Sequence, residues 1–193
     1  MASSPLIAAP ALTLVCVRSS AGQTVEIADR AGAPAGACDD AGAVTEPGGE
    51  VVLRAPFGWA PVAGRKRAHG TDAYVTATWP DGSVLGWVRI TRYSATPRSQ
   101  KGTLALQDAT GAAAGKLEPG DDDRLAITAP DGTVLGGLVL TDRDRGLRRS
   151  TLTFAYEAHA EGDQRALALV AALRYRKLLS EALAQATHEA RTR

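Results

Sequence analysis

Residues 124–140 read RLAITAPDGTVLGGLVL, and residues 74–90 read YVTATWPDGSVLGWVRI. Each is an apolar-alternating run, a Pro-Asp-Gly turn, and a second run. Proline presets φ for the turn, aspartate tolerates the next position, and glycine accepts positive φ. Alternation with a period of two on both sides of such a turn predicts a β-hairpin. Four residues past the turn glycine comes a second glycine, Gly86 in one copy and Gly136 in the other. Inside a strand, glycine marks a bulge or a close backbone approach. Gly86 shares parity with Val84, Val88 and Ile90, and Gly136 with Val134, Leu138 and Leu140. If that parity faces inward, glycine makes room for an element inside the wall.

The same plan recurs in TVEIADRAGAPAGACDD (24–40) and TLALQDATGAAAGKLE (103–118), with the pairs Gly32/Gly36 and Gly111/Gly115. The copies start at 24, 74, 103 and 124, so their spacings are 50, 29 and 21 residues. Solenoids and propellers need a fixed period and are excluded. Further strands are expected at 12–17, 50–54 and 151–158, with a weak one near 59–63. Leu152, Phe154 and Tyr156 alternate most clearly. About a dozen short strands must close into a barrel or split into a sandwich. The stretch 40–72, with Pro47, Gly48, Gly49, Pro56, Pro61 and Gly64, reads as irregular loops.

From Asp163 the character changes to DQRALALVAALRYRKLLSEALAQATHEARTR, with no Gly or Pro after Gly162. Asp163 is the expected N-cap of a helix over 163–187. Every residue from Ala166 to Leu173 is apolar, and a helix apolar all round is buried all round. Arg174, Arg176, Lys177 and Glu181 then appear while Leu178, Leu179, Ala182 and Leu183 keep one stripe. The expectation is an enclosed first half and a second half that emerges with one face covered.

At 193 residues the chain fits one domain: a tail over 1–11, a domain over 12–187 and a tail over 188–193. A net charge of +1 leaves no global field for nucleic acid. Arginine outnumbers lysine 18 to 4, a bias that, with abundant Ala and Gly, fits a GC-rich bacterial source. Cys16 and Cys38 read as small buried hydrophobes of a reducing, cytoplasmic compartment; the alternative is a Cys16–Cys38 disulfide in an exported protein. MASSPLIAAPALTLVCV has no basic leader and is broken by Pro5 and Pro10, so it reads as a tail and a first strand. No stretch of 18 apolar residues exists, so no helical membrane span is expected.

The motifs DGSVLGWVRI (81–90), DATGAAAGKLE (108–118), DGTVLGGLVL (131–140), TLTFAYEAHA (151–160) and RALALVAALRYRKLL (165–179), in this order, resemble the Tubby-like superfamily. Its nearest-looking members are small bacterial scramblase-like or LURP-one-related proteins. The likeness covers about residues 12–183 and is strongest after Asp72. It implies a mainly β (α+β) fold: a closed antiparallel barrel of about twelve strands enclosing a hydrophobic C-terminal helix. It also implies a binding module for anionic lipid headgroups. Two departures matter. No phosphoinositide-binding signature of the family maps onto these residues, and Arg174, Arg176 and Lys177 make a membrane-entering helix expensive.

None of His69, His159 and His188 sits in a metal or catalytic motif, and no nucleophile elbow or Walker loop occurs. Asp121, Asp122 and Asp123 are consecutive, so their side chains diverge and read as a solvated turn. No catalytic residue, metal or cofactor is expected. Two basic clusters remain, Arg65-Lys66-Arg67 and Arg148-Arg149. The ordinary reading is loop solubility; the functional one is a patch for anionic lipid headgroups or an acidic protein partner, peripheral at a membrane. An enzyme or small-molecule carrier with a pocket at one barrel end is the alternative. Trp59, Trp79 and Trp87 read as packing residues. The oligomeric state is not legible.

Overall fold

The structure is a computed structural model and describes residues 4–19, 22–56, 74–96, 99–120, 124–143 and 150–191. After a short helix α1 (Pro5–Ala8) come twelve strands: β1 (Ala11–Ser19), β2 (Gly22–Asp29), β3 (Pro34–Cys38), β4 (Ala43–Thr45), β5 (Val51–Arg54), β6 (Tyr74–Thr78), β7 (Val84–Thr96), β8 (Ser99–Asp108), β9 (Ala113–Pro119), β10 (Arg124–Thr128), β11 (Val134–Arg143) and β12 (Ser150–Tyr156). A long helix α2 (Gly162–Arg191) follows. Each strand pairs antiparallel with its sequence neighbours, and β12 returns to β1, so the barrel is closed. Closure leaves no sheet edge to template aggregation. The weak strand expected near 59–63 lies outside the described residues.

The turns share one geometry. In six of them residue i donates its N–H to the carbonyl of i+4, and the glycine at i+3 donates back to the carbonyl of i; the first residues are Asp29, Asp39, Glu46, Trp79, Asp108 and Ala129. The six glycines, Gly32, Gly42, Gly49, Gly82, Gly111 and Gly132, all hold φ between 83° and 88°. Four of these turns are the expected ones. The other two, Asp39–Ala43 and Glu46–Glu50, fall inside the stretch read as irregular. That stretch holds the ordered hairpin β4–β5, and the expected loops at 40–72 are corrected to that extent.

Five hairpins carry a bulge three residues past the turn glycine, where Ala35, Val52, Leu85, Ala114 and Leu135 have no partner of their own. A bulge inserts one residue and shifts the side-chain phase. This corrects the expected parity. Val84 and Val134, before the bulge, are 39% and 43% exposed, while Leu85, Val88, Leu135 and Leu138 are buried. Gly86 and Gly136 do face inward, but the nearest atom to a Cβ on either is the carbonyl oxygen of the next strand, Gln107 O and Ala155 O. Only at Gly86 does the central helix also press in, through Leu167.

Inside the wall, Leu12, Leu14, Ile27, Leu104, Leu106, Leu117, Ile127, Leu138, Leu152 and Phe154 form one buried core with the enclosed part of α2. The enclosed part of the helix runs beyond Leu173. Arg174 and Arg176 are each 2% exposed and Lys177 is also buried, so the expectation that these cations mark the emergence of the helix is corrected. Twelve residues, Ala166–Lys177, span about 18 Å at 1.5 Å per residue, which matches a tall wall rather than two helical turns. The helix starts at Gly162, not at Asp163, because Glu161 occupies the cap: its N–H donates to Gln164 Oε1 at 3.3 Å, one half of a capping box. The tail expected over 1–11 is corrected too. Leu6 and Ile7 of α1 are buried in the core, and Ser4 Oγ donates to Glu46 Oε1.

Candidate ligand-facing end of the barrel

Alternating strand directions give the barrel two distinct ends. The turns that start at Asp29, Glu46, Trp79, Asp108 and Ala129 share one end with α1 and the start of α2; this is the proximal end. The turn Asp39–Ala43, the close of β5 and β11, and the start of β6 and β12 lie at the distal end, toward which α2 runs.

The proximal end is closed by contacts around Arg165. Its guanidinium lies 5.0 Å from the centroid of the Tyr156 ring, a cation–π distance. Its Nε donates to Ala160 O at 2.7 Å and its Nη1 to Ala8 O at 3.1 Å. One side chain thus joins the last strand, the loop before α2 and the N-terminal segment. Tyr156 also meets Phe154 edge to face at 4.5 Å, and burial holds its phenol above the usual range. His159 is exposed at this end. The turn carboxylates there are solvated but well satisfied. Hydrogen bonds from the Ser83 hydroxyl hold Asp81 below its ordinary range, those from the Thr110 hydroxyl do so for Asp108, and those from the Thr133 N–H for Asp131.

Arg65, Lys66, Arg67, Arg148 and Arg149 lie outside the described residues, as do His69 and Trp59. What is described are the strand ends on either side of those segments. Arg54 closing β5, Tyr74 opening β6, Arg143 closing β11 and Ser150 opening β12 all belong to the distal end. At the same end the ammonium of Lys177 donates to Asp40 Oδ1 at 3.0 Å and to Asp40 O at 3.1 Å. Lys177 was expected in solvent, and nothing local in the sequence pairs it with Asp40. The available signal was cost: cations within an apolar helix must find partners if the wall covers them.

Cys38 lies beside this pair. Burial, with Asp39 adding, pushes its thiol up to about 12. Cys16 on β1 and Cys38 on β3 both pair with Val25 on β2 from opposite sides. Two strand spacings separate their Cα atoms by about 10 Å, beyond the roughly 7 Å limit for a disulfide. Neither cysteine is in a disulfide and both are buried, so the disulfide alternative is corrected. Trp79 is half-buried against the core, and Trp87 is half-buried on the outer face.

No family model matches this chain, and no curated protein matches it. One solved structure, that of a protein from Arabidopsis thaliana, is similar over 87% of this chain and 92% of its own, at 10% identity and a TM-score of 0.33, too slight to carry a conclusion.

Proposed function

We propose that the protein is a non-catalytic binding module of Tubby-like type whose distal barrel end faces anionic phospholipid headgroups, at the cytoplasmic surface of a membrane. The observation that carries this reading is topological. The strand ends flanking both basic clusters belong to one barrel end, the end that also presents Lys177. The reading has the five cations of these two connections act together, each worth about 1 kcal/mol near an anionic leaflet within a Debye length. The interior supports binding over turnover, because α2 fills it with buried side chains from Ala166 to Lys177. No helix among the described residues is long and apolar enough to cross a membrane, which fits peripheral attachment.

The test is flotation with vesicles of phosphatidylcholine alone or doped with a phosphoinositide, across a salt titration. Binding to the doped vesicles is expected, falling steeply with salt, and lost when Arg65, Lys66, Arg67, Arg148 and Arg149 are all changed to Ala. Absence of binding at low salt, or binding that the five substitutions leave intact, removes the reading.

A further inference from the structure

We propose that Lys177 is the cation of a phosphate site at the distal mouth, and that Asp40 is its built-in counter-ion, displaced when a phosphate group arrives. This deepens the reading above and rests on it only for what carries the phosphate, a lipid headgroup or a free ion. The side chain of Lys177 is 9% exposed and that of Asp40 61% exposed, although they bond at 3.0 Å. A buried ammonium has lost its hydration and needs a counter-charge. Asp40 supplies one while remaining mostly in water, so an anion from solution reaches the same place without opening the barrel.

The turn does not need the Asp40 side chain. Its own bonds come from Asp39 and Gly42: Asp39 N–H donates to Ala43 O at 3.0 Å, Gly42 N–H to Asp39 O at 3.1 Å, and Ala43 N–H to Asp39 Oδ1 at 2.8 Å. Release of the Asp40 carboxylate therefore leaves the turn folded, and the Asp40 carbonyl still holds Lys177. A phosphate monoester carries a charge of about −1.5 to −2 and three acceptor oxygens. It outcompetes one carboxylate for such a site, whereas a monovalent carboxylate ligand gains nothing over Asp40.

Titration calorimetry of the full chain with inorganic phosphate tests this. Asp40→Asn keeps the side-chain shape and the carbonyl but loses the charge, and it is expected to bind phosphate about tenfold more tightly than the parent. Adding Lys177→Met is expected to abolish that gain. If the double variant does not fold, phosphate-induced shifts of the Arg174–Lys177 amides in Asp40→Asn take its place. Phosphate affinity unchanged in Asp40→Asn, or a gain that survives Lys177→Met, overturns the proposal, as do amide shifts elsewhere only. Flotation separates the carriers. Tighter phosphate binding with stronger flotation on phosphatidylinositol bisphosphate vesicles supports the site with a lipid headgroup. Tighter phosphate binding without flotation supports the site with a free ion and removes the membrane reading. Flotation of the parent with no effect of Asp40→Asn on either measurement removes this site and leaves the membrane reading standing.

Discussion

A Cβ added to Gly136 would sit 2.6 Å from the carbonyl oxygen of Ala155, on the strand that follows it around the barrel. That atom belongs to the backbone of β12, which is held by its register with both β11 and β1. The second glycine of the hairpin motif is therefore a condition of wall closure. Gly136→Leu adds overpacking against Phe154, whose ring carbon lies 3.3 Å from the same point, and is expected to cost about 1–3 kcal/mol. At the adjacent Gly137 the nearest atom is Leu125 O at 3.4 Å, an ordinary contact. Denaturant midpoints should fall for Gly136→Leu and stay close to the parent for Gly137→Ala; equal midpoints would contradict the close approach.

Arg165 sets the order of the N-terminal segment. Arg165→Met removes the cation over Tyr156 and leaves Ala8 O and Ala160 O without this donor. The expected loss is about 1–3 kcal/mol. Limited proteolysis should then cut first before Ala11. A cleavage pattern identical to that of the parent would show that α1 is held without Arg165, by Leu6, Ile7 and the Ser4–Glu46 hydrogen bond.

The turn carboxylates make an acid-side prediction. Asp81, Asp108 and Asp131 have folded pKa values below the ordinary 3.8. A depressed folded value contributes stability that is present above the unfolded pKa and lost as pH falls through the folded one. Asp108→Ala should therefore lower the urea midpoint at neutral pH, and the gap to the parent should close as both are taken below pH 3.8. A gap that is constant across that range would assign the effect to the turn conformation, not to the charge.

Cys38 makes the opposite prediction. Its folded thiol pKa, about 12, stands above the ordinary 9.0, so burial favours the neutral thiol. That contribution is full below the unfolded pKa and fades as pH rises toward 12. At mildly alkaline pH the native protein should not react with a disulfide reagent at Cys38 except by opening, so labelling should track the denaturant concentration. Rapid labelling in buffer alone would place the thiol at the surface.

Much of the barrel was legible because its determinants are local. WPDGS and APDGT set hairpins within five residues, and the run Ala166–Leu173 announces burial on every side by composition alone. EPGGE (46–50) and DDAGA (39–43) were passed over because prolines and glycines around them imitate an irregular loop, although Gly49 and Gly42 occupy the same left-handed position as the others. The bulges at Leu85 and Leu135 were also hidden, since an unpaired residue exists only relative to a partner strand.

The sequence alone determined the hairpins, the strand alternation and the enclosed helix, since each depends on φ preferences and side-chain polarity within a few residues. The tertiary structure decided which ends meet. Lys177 and Asp40 are 137 positions apart, and Cys16 and Cys38 are kept apart by Val25 between them. Distances of that kind follow from strand order and register around a closed wall, a property of the whole ring that no single segment encodes.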